Sequence, residues 1–171
     1  FAPEQSCRKC HQAVYDSVMT SAHLMASALA TPQNVLGSFT ERHNRFIYDS
    51  LTKVLMEQRD SDQYQVLYKN NRVTEACRFD IVFGSRHAQT SLYWLHDQTY
   101  ELPLSYYRTA NNWGTSPGFS ATVPNFTRMI GIDCFECHSS YIKHKQNTAG
   151  AGNYFNPDAN ATETFEKNSL V

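Results

Sequence analysis

Long hydrophobic runs and an excess of charge of one sign are both absent from this sequence. No run of about 18 apolar residues occurs, so the chain has no transmembrane helix. Lys and Arg number 15 and Asp and Glu number 16, a balance that does not indicate nucleic acid or a membrane surface as a partner. No signal peptide is visible, and we expect Phe1 to follow a removed leader or another segment. The length of 171 residues suits one domain with its own core.

Cysteine is scarce, yet four of the five cysteines fall in two copies of one pattern. Residues 7–11 read CRKCH (the first motif) and residues 134–138 read CFECH (the second motif). Each is a C-x-x-C-H string, the signature of c-type haem attachment. Two thiols three positions apart can bond the two vinyl-derived carbons of one porphyrin, and the next histidine then lies under the iron. The sequence therefore predicts two covalently bound haem c groups, attached at Cys7, Cys10, Cys134 and Cys137, with His11 and His138 as proximal iron ligands.

Two other uses of paired cysteines compete with this interpretation. Four thiolates can hold a structural zinc ion, but zinc gives no reason for a histidine directly after both pairs. A disulfide within C-x-x-C closes a small strained loop, which is more often redox-active than structural. Haem attachment is therefore the favoured interpretation. The fifth cysteine, Cys77, lies outside both motifs, and we expect it to be a buried small hydrophobic side chain.

The segment after the first motif shows helical periodicity. Apolar residues at three- and four-residue spacing predict a helix over residues 11–29 whose apolar face packs on the porphyrin. In such a helix His23 lies twelve residues from His11, or about 18 Å along the axis, whereas two ligands of one iron are only about 4 Å apart. We therefore expect His23 to be the distal iron ligand of a different haem.

Other histidines are candidates for the remaining distal positions. His43 and His87 lie in predicted loops, and His144 lies between two lysines. His96 ends a predicted strand, where a role facing solvent is favoured. Arg128, shortly before the second motif, is either a partner for a haem propionate or a solvated surface arginine.

The middle of the chain is rich in β-branched and aromatic residues. Short segments over residues 45–108, with turn signals such as Asn70-Asn71, predict an antiparallel meander of four or five strands. The tail from residue 146 is polar and without periodicity, which is typical of an extended arm. The predicted fold class is α+β, with haem-binding helices at both ends around an inserted antiparallel β-meander and an extended polar C-terminal arm.

Residues 1–171 are thus interpreted as a single dihaem cytochrome domain. Its parts are the first motif and its helix (1–34), the β-rich insert (35–126), and the second motif with the arm (127–171). A fragment of a longer multihaem chain is the alternative.

Residues 7–17, followed by Thr20-Ser21-Ala22-His23, resemble the opening of multihaem c-type cytochromes of the c554-like superfamily. The phrases at residues 78–85, 101–107 and 113–118 are similar to a set of largely uncharacterised exported bacterial multihaem proteins. The resemblance implies that His23 is an axial ligand that reaches a haem other than that of its own motif. It also implies further C-x-x-C-H motifs downstream, so that this chain is either a fragment or a short member that assembles with copies of itself.

Electron transfer is the function that these features favour. Two haems on one small scaffold relay single electrons, with redox proteins or copies of the same chain as partners in a homo-oligomer, a larger haem array or an extracellular filament. Covalent attachment of haem takes place outside the bacterial or archaeal cytoplasm, so we expect a periplasmic or extracellular location. The alternative is a haem enzyme with one open iron that acts on a small nitrogen or sulfur oxyanion or on peroxide, with Arg86, His87, Arg128 and Tyr141 as its acid–base candidates.

Overall fold

Antiparallel strands are the main regular structure in the part of the chain that the structure describes. The computed structural model describes residues 4–96 and 98–139. Its helices are α1 (Glu4–Arg8), α2 (Gln12–Met19) and α3 (Ile132–His138), and a 3-10 turn covers Leu24–Ala26. Its strands are β1 (Ser27–Leu29), β2 (Arg45–Ile47), β3 (Thr52–Arg59), β4 (Asp62–Lys69), β5 (Arg72–Arg78), β6 (Ile81–Phe83), β7 (Ala88–Leu95), β8 (Gln98–Tyr107), β9 (Asn112–Thr115) and β10 (Arg128–Met129). None of the helices in these ranges is long and apolar enough to cross a membrane.

The strands form two sheets. The larger sheet has the order β1-β6-β7-β8-β10, with β9 also paired to β8, and the smaller sheet has the order β2-β3-β4-β5. The hairpin between β4 and β5 turns at Asn70 and Asn71, whose φ values are 51° and 58°. Asparagine tolerates this left-handed conformation, and two such residues in succession make the turn that suits twisted strands. The turn predicted at this pair is confirmed.

One hydrophobic cluster joins the two sheets. Leu102 and Leu104 alternate along β8 of the larger sheet, and Val54 and Met56 alternate along β3 of the smaller one; all four are fully buried. Gln65 of β4 donates from Nε2 to the Leu104 carbonyl over 2.7 Å and accepts from the Leu104 amide over 3.1 Å. Because both ends of this buried amide are satisfied, it ties the sheets together without leaving an unpaired polar group.

The other face of the larger sheet is also buried. Ile81 and Phe83 of β6 and Leu92 of β7 form a second cluster with Phe135 of α3. Successive residues of a strand point to opposite faces, and Tyr93, next to Leu92, belongs to the cluster between the sheets. Helix α3 and the second motif therefore lie on the face of the larger sheet that is turned away from the smaller sheet.

The predicted α+β fold class is wrong. The described chain is mostly β-sheet, with two antiparallel sheets and only three short helices. The helices do not flank a single meander, because β1 and β10 carry the segments next to both motifs into the larger sheet. Strand patterns in the sequence are local, whereas the division into two packed sheets is set by contacts between distant residues. His144 lies outside the described residues, and so does the extended arm predicted to begin at residue 146.

The helix predicted over residues 11–29 is also wrong beyond Met19. Thr20 donates from Oγ1 to the Asp16 carbonyl over 3.2 Å, and the Leu24 amide donates to Ser21 Oγ over 3.2 Å. Such bonds between hydroxyl groups and the backbone compete with helical ones. The chain then enters β1, which pairs with β6. No helix connects His11 to His23. The separation of about 18 Å between them, calculated from the rise of a continuous helix, therefore does not apply.

Candidate functional site

The second motif is held on the larger sheet by the aromatic residue between its two cysteines. Phe135 is 2% exposed and packs edge-on against Phe83, with ring centroids 5.4 Å apart and an interplanar angle of 83°. Burial of this ring turns the thiols on either side of it outwards, and Cys134 and Cys137 are both exposed free thiols. A helix of seven residues is not stable alone, so this packing determines where the thiols lie.

His138, at the end of α3, is fixed by three contacts. Its ring stacks on Phe83 with centroids 4.4 Å apart and an interplanar angle of 7°. Its Nδ1 lies 3.1 Å from the Ala26 carbonyl oxygen, and Ser27 Oγ donates to the His138 carbonyl. A carbonyl oxygen only accepts, so Nδ1 carries the hydrogen and the lone pair of the neutral ring is on Nε2. Because Nδ1 is held in this way, the imidazole is oriented to bind a metal through Nε2.

A cavity of about 530 Å³ opens beside this helix, and we call it the second-motif cavity. Its wall contains Cys134, Cys137 and His138 together with the apolar residues Phe83, Leu92, Pro117 and Ile130. The volume falls in the range of sites for cofactors and other small molecules, which are mostly apolar with a few placed polar groups. Two free thiols, one oriented imidazole and an apolar wall are what a covalently attached haem requires, so the residues present fit this group.

A carboxylate that was not among the predicted site residues also lines the cavity. Glu101 of β8 has a side chain that is 13% exposed, and its Oε2 lies 3.4 Å from Arg128 Nη1. Burial raises the pKa of Glu101, and the Arg128 guanidinium opposes this rise. Burial likewise raises the pKa of the Cys134 thiol, and the Glu101 carboxylate adds to that shift. The signal in the sequence was an acidic residue inside an otherwise uncharged strand, over residues 98–107.

Arg128 was a candidate for a haem propionate or for a free surface position. Besides Glu101, its Nη1 donates to the Pro117 carbonyl over 2.7 Å, and its guanidinium lies 4.9 Å from the centre of the Phe119 ring. The side chain is 44% exposed. Arg128 is therefore tied to the rim of the second-motif cavity, with part of its surface open to solvent.

The first motif lies on an exposed helical segment. The His11 amide donates to the Cys7 carbonyl over 2.9 Å, which continues the turn of α1 into α2. Cys7 and Cys10 are exposed free thiols, and His11 is exposed as well. Helix α2 contains no buried residue, and Val14 and Val18 are 64% and 47% exposed. The apolar face expected to pack on a porphyrin is thus present on a shorter helix and is open to solvent.

The described candidates for distal ligands do not line the second-motif cavity. Among the residues that the structure describes, His138 is the one histidine in its wall. The five other described histidines are exposed: His11, His23, His43, His87 and His96. Arg86, one of the acid–base candidates, donates to the Thr20 carbonyl over 3.0 Å, and Tyr141 lies outside the described residues.

The cysteine geometry bears on the two competing interpretations. All five cysteines are free, so neither C-x-x-C pair is a disulfide. Within residues 4–96 and 98–139, no three His, Cys, Asp or Glu side chains are grouped to hold a metal ion, so the two pairs do not form a Cys₄ zinc cluster. A haem iron does not need such a group, because the porphyrin supplies most of its ligands. Cys77 is 9% exposed, and burial raises the pKa of its thiol to about 11, which confirms the expectation of a buried residue.

A scan against protein-family models and searches of curated proteins and of solved structures found no match to this chain.

Proposed function

We propose that this chain is a c-type cytochrome that transfers electrons through two covalently bound haems, one at each C-x-x-C-H motif. The observation that supports it most is at the second motif. Two free thiols and the oriented imidazole of His138 line one largely apolar cavity of about 530 Å³. The proposal for the first motif rests on its sequence, on its exposed thiols and on the open apolar face of α2. The resemblance to c554-like multihaem cytochromes points the same way.

The residues around the second motif have separate tasks in this proposal. Bound there, a haem would supply an iron that changes between its ferric and ferrous states, one electron at a time. Cys134 and Cys137 would anchor the macrocycle, and His138 Nε2 would bind the iron. The Ala26 carbonyl and the Phe83 ring hold the imidazole in one orientation, so little rearrangement accompanies a change of charge. The apolar side chains of Phe83, Leu92 and Ile130 line that side and would keep water from a bound haem.

The partners and location follow from the same chemistry. We propose that electrons pass to and from redox proteins or further copies of this chain, and that the mature protein works in the periplasm or outside the cell. The exposed apolar side chains of α2, Val14 and Val18, are positioned beside the first motif, where they can cover a haem face.

Haem content tests the proposal directly. The chain is produced by export in a host that carries a haem-attachment system, and covalent haem is counted from the pyridine haemochrome spectrum and the intact mass. We expect two haems per chain, one after Cys7→Ala/Cys10→Ala, and one after Cys134→Ala/Cys137→Ala. Cys77→Ala is the matched control, because this buried thiol should leave the count at two. A chain that acquires no covalent haem would refute the proposal.

Ligand binding separates the electron carrier from the haem enzyme. Two low-spin haems whose visible spectra ignore carbon monoxide and cyanide support the carrier, and a high-spin band that shifts with these ligands supports an enzyme with an open iron. The resemblance alone now supports His23 as a distal ligand, and on that basis His23→Ala should produce a high-spin haem, whereas His96→Ala, the control, should not. An unchanged spectrum in His23→Ala would remove His23 from the set of ligands.

A further inference from the structure

Glu101 holds an unusual position for a carboxylate. It lies in the middle of β8, opposite Leu92 of β7 on one side and Arg128 of β10 on the other. Its side chain is 13% exposed and forms part of the wall of the second-motif cavity, beside Cys134 and Cys137. Acidic side chains are seldom so buried, because removing a charge from water is costly unless partners compensate it.

The compensation available to Glu101 is partial. Arg128 approaches to 3.4 Å, which is longer than the 2.7–2.9 Å or so of a strong charge-assisted hydrogen bond. The same guanidinium also serves the Pro117 carbonyl and is itself 44% exposed, so solvent weakens its attraction. Burial therefore raises the pKa of Glu101 above its ordinary value, and the Arg128 guanidinium offsets only part of this rise.

We propose that Glu101 is a proton acceptor coupled to electron entry at the second motif, an inference that rests on the proposed function above. One electron arrives from a one-electron donor protein, and one proton arrives from solvent. The proton binds to a carboxylate oxygen of Glu101 and forms its O–H bond, so the charge of the cavity does not change. Re-oxidation reverses both transfers: the electron leaves for an acceptor, and the Glu101 proton returns to solvent.

The coupling has an electrostatic cause. An added electron makes the cavity more negative, and a like charge nearby disfavours the carboxylate form of Glu101. The wall is largely apolar, so solvent screens this repulsion poorly. The charged and titratable groups around Glu101 are Arg128 from β10, Tyr107 from β8, and the residues of α3 that line the same wall: Asp133, Cys134, Cys137 and His138. The two cysteines lose their titration when they become thioethers, which leaves Glu101 as the most buried acid of the set.

The test uses the full chain with Cys7→Ala/Cys10→Ala, so that only the second haem is present. Its midpoint potential is followed against pH by spectroelectrochemistry, after the haem content has been confirmed. The carboxyl group of Glu101 has one pKa in the oxidised protein and a higher one in the reduced protein. Between these two pH values the potential should fall as pH rises. The slope should approach about 59 mV per pH unit for one proton per electron. Glu101→Gln should remove this slope and hold the potential at or above the low-pH value. Asp133→Asn, in the same cavity wall but exposed, is the control and should keep the slope.

A second variant guards against a general disturbance by Glu101→Gln. Arg128→Gln removes the opposing positive charge, so the sloping interval should move to higher pH, which a purely structural role of the pair would not produce. If the slope persists in Glu101→Gln, as a slope caused by haem propionates would persist, the inference is overturned. A potential that does not depend on pH in the parent protein overturns it as well. Both results leave the proposed function standing, whereas absence of haem at Cys134 and Cys137 would refute the function itself.

Discussion

Replacement of Phe135 with alanine tests whether packing, rather than helix propensity, holds the second motif. The isolated α3 has seven residues, about half of the 12–15 that an isolated helix needs in water. Its one described side chain in the core is Phe135, 2% exposed and edge-on to Phe83. If this ring is removed, the contacts of His138 with Phe83, Ala26 and Ser27 are what remains among the described anchors of the helix.

The magnitude follows from the ring's surroundings. Full burial of a phenylalanine side chain contributes about 1.5–3 kcal/mol, and an edge-to-face aromatic pair adds about 0.5–1.5 kcal/mol. We therefore expect Phe135→Ala to lower the free energy of unfolding by about 3 kcal/mol, at the lower end of the range measured for such replacements in cores. Phe135→Leu keeps most of the apolar volume and should cost less than half as much.

Urea unfolding of the full chain, followed by circular dichroism, measures the loss. Val14→Ala is the control, because that side chain is 64% exposed and its removal should change the stability by less than about 0.5 kcal/mol. Hydrogen exchange should also show faster exchange over residues 132–138 in Phe135→Ala. If Phe135→Ala costs no more than Val14→Ala, the ring does not anchor the helix and the account of the second motif is wrong.

Four further outcomes check other parts of the structure. Cys77 should resist iodoacetamide at pH 8 in the folded chain, because burial and a pKa of about 11 leave only about 0.1% as thiolate; labelling as fast as in urea would contradict this. Gly84→Ala should lower thermal stability by about 1–3 kcal/mol, because φ is +85° and a Cβ would lie 2.4 Å from a backbone oxygen, while Gly131→Ala, with no atom within 4 Å, should be neutral. Ser27→Ala removes the hydroxyl donor to the His138 carbonyl and should cost about 1 kcal/mol in urea unfolding; a neutral result would show that the bond adds nothing. Backbone amide donors hold the pKa of Asp49 below its ordinary value in the folded chain. The contribution of Asp49 to stability is therefore complete above its pKa in the unfolded chain and is lost as pH falls through its pKa in the folded chain. Asp49→Asn should lack this loss of stability in unfolding curves measured from pH 6 to pH 2.

The strands and the tight turn could be predicted because their signals are local. Alternating residues over β4 and β5, interrupted by Asn70 and Asn71, determine both the extended conformation and the place of the hairpin. The burial of Cys77 was likewise predictable from its position in a strand-forming segment. These features need no knowledge of which strand lies next to which sheet.

The termination of α2 and the position of Glu101 could not be predicted in this way. Residues 20–29 have apolar spacing compatible with a helix, but pairing of β1 with β6, more than fifty residues later, outweighs that preference. Glu101 belongs to the site only because three strands and α3 converge around it. The motifs themselves identified the cysteines and histidines, and the surrounding wall came from the tertiary structure.

The bond between His138 and the Ala26 carbonyl also has a consequence for the order of folding. It joins residues 112 apart in sequence, and closing so long a loop is entropically unfavourable until the intervening strands have formed. Contacts of this range are made late, after local hairpins such as β3–β4 and β4–β5. We therefore expect the thiols of the second motif to be accessible before the imidazole is locked, so that the fixed orientation of the His138 ring is completed last.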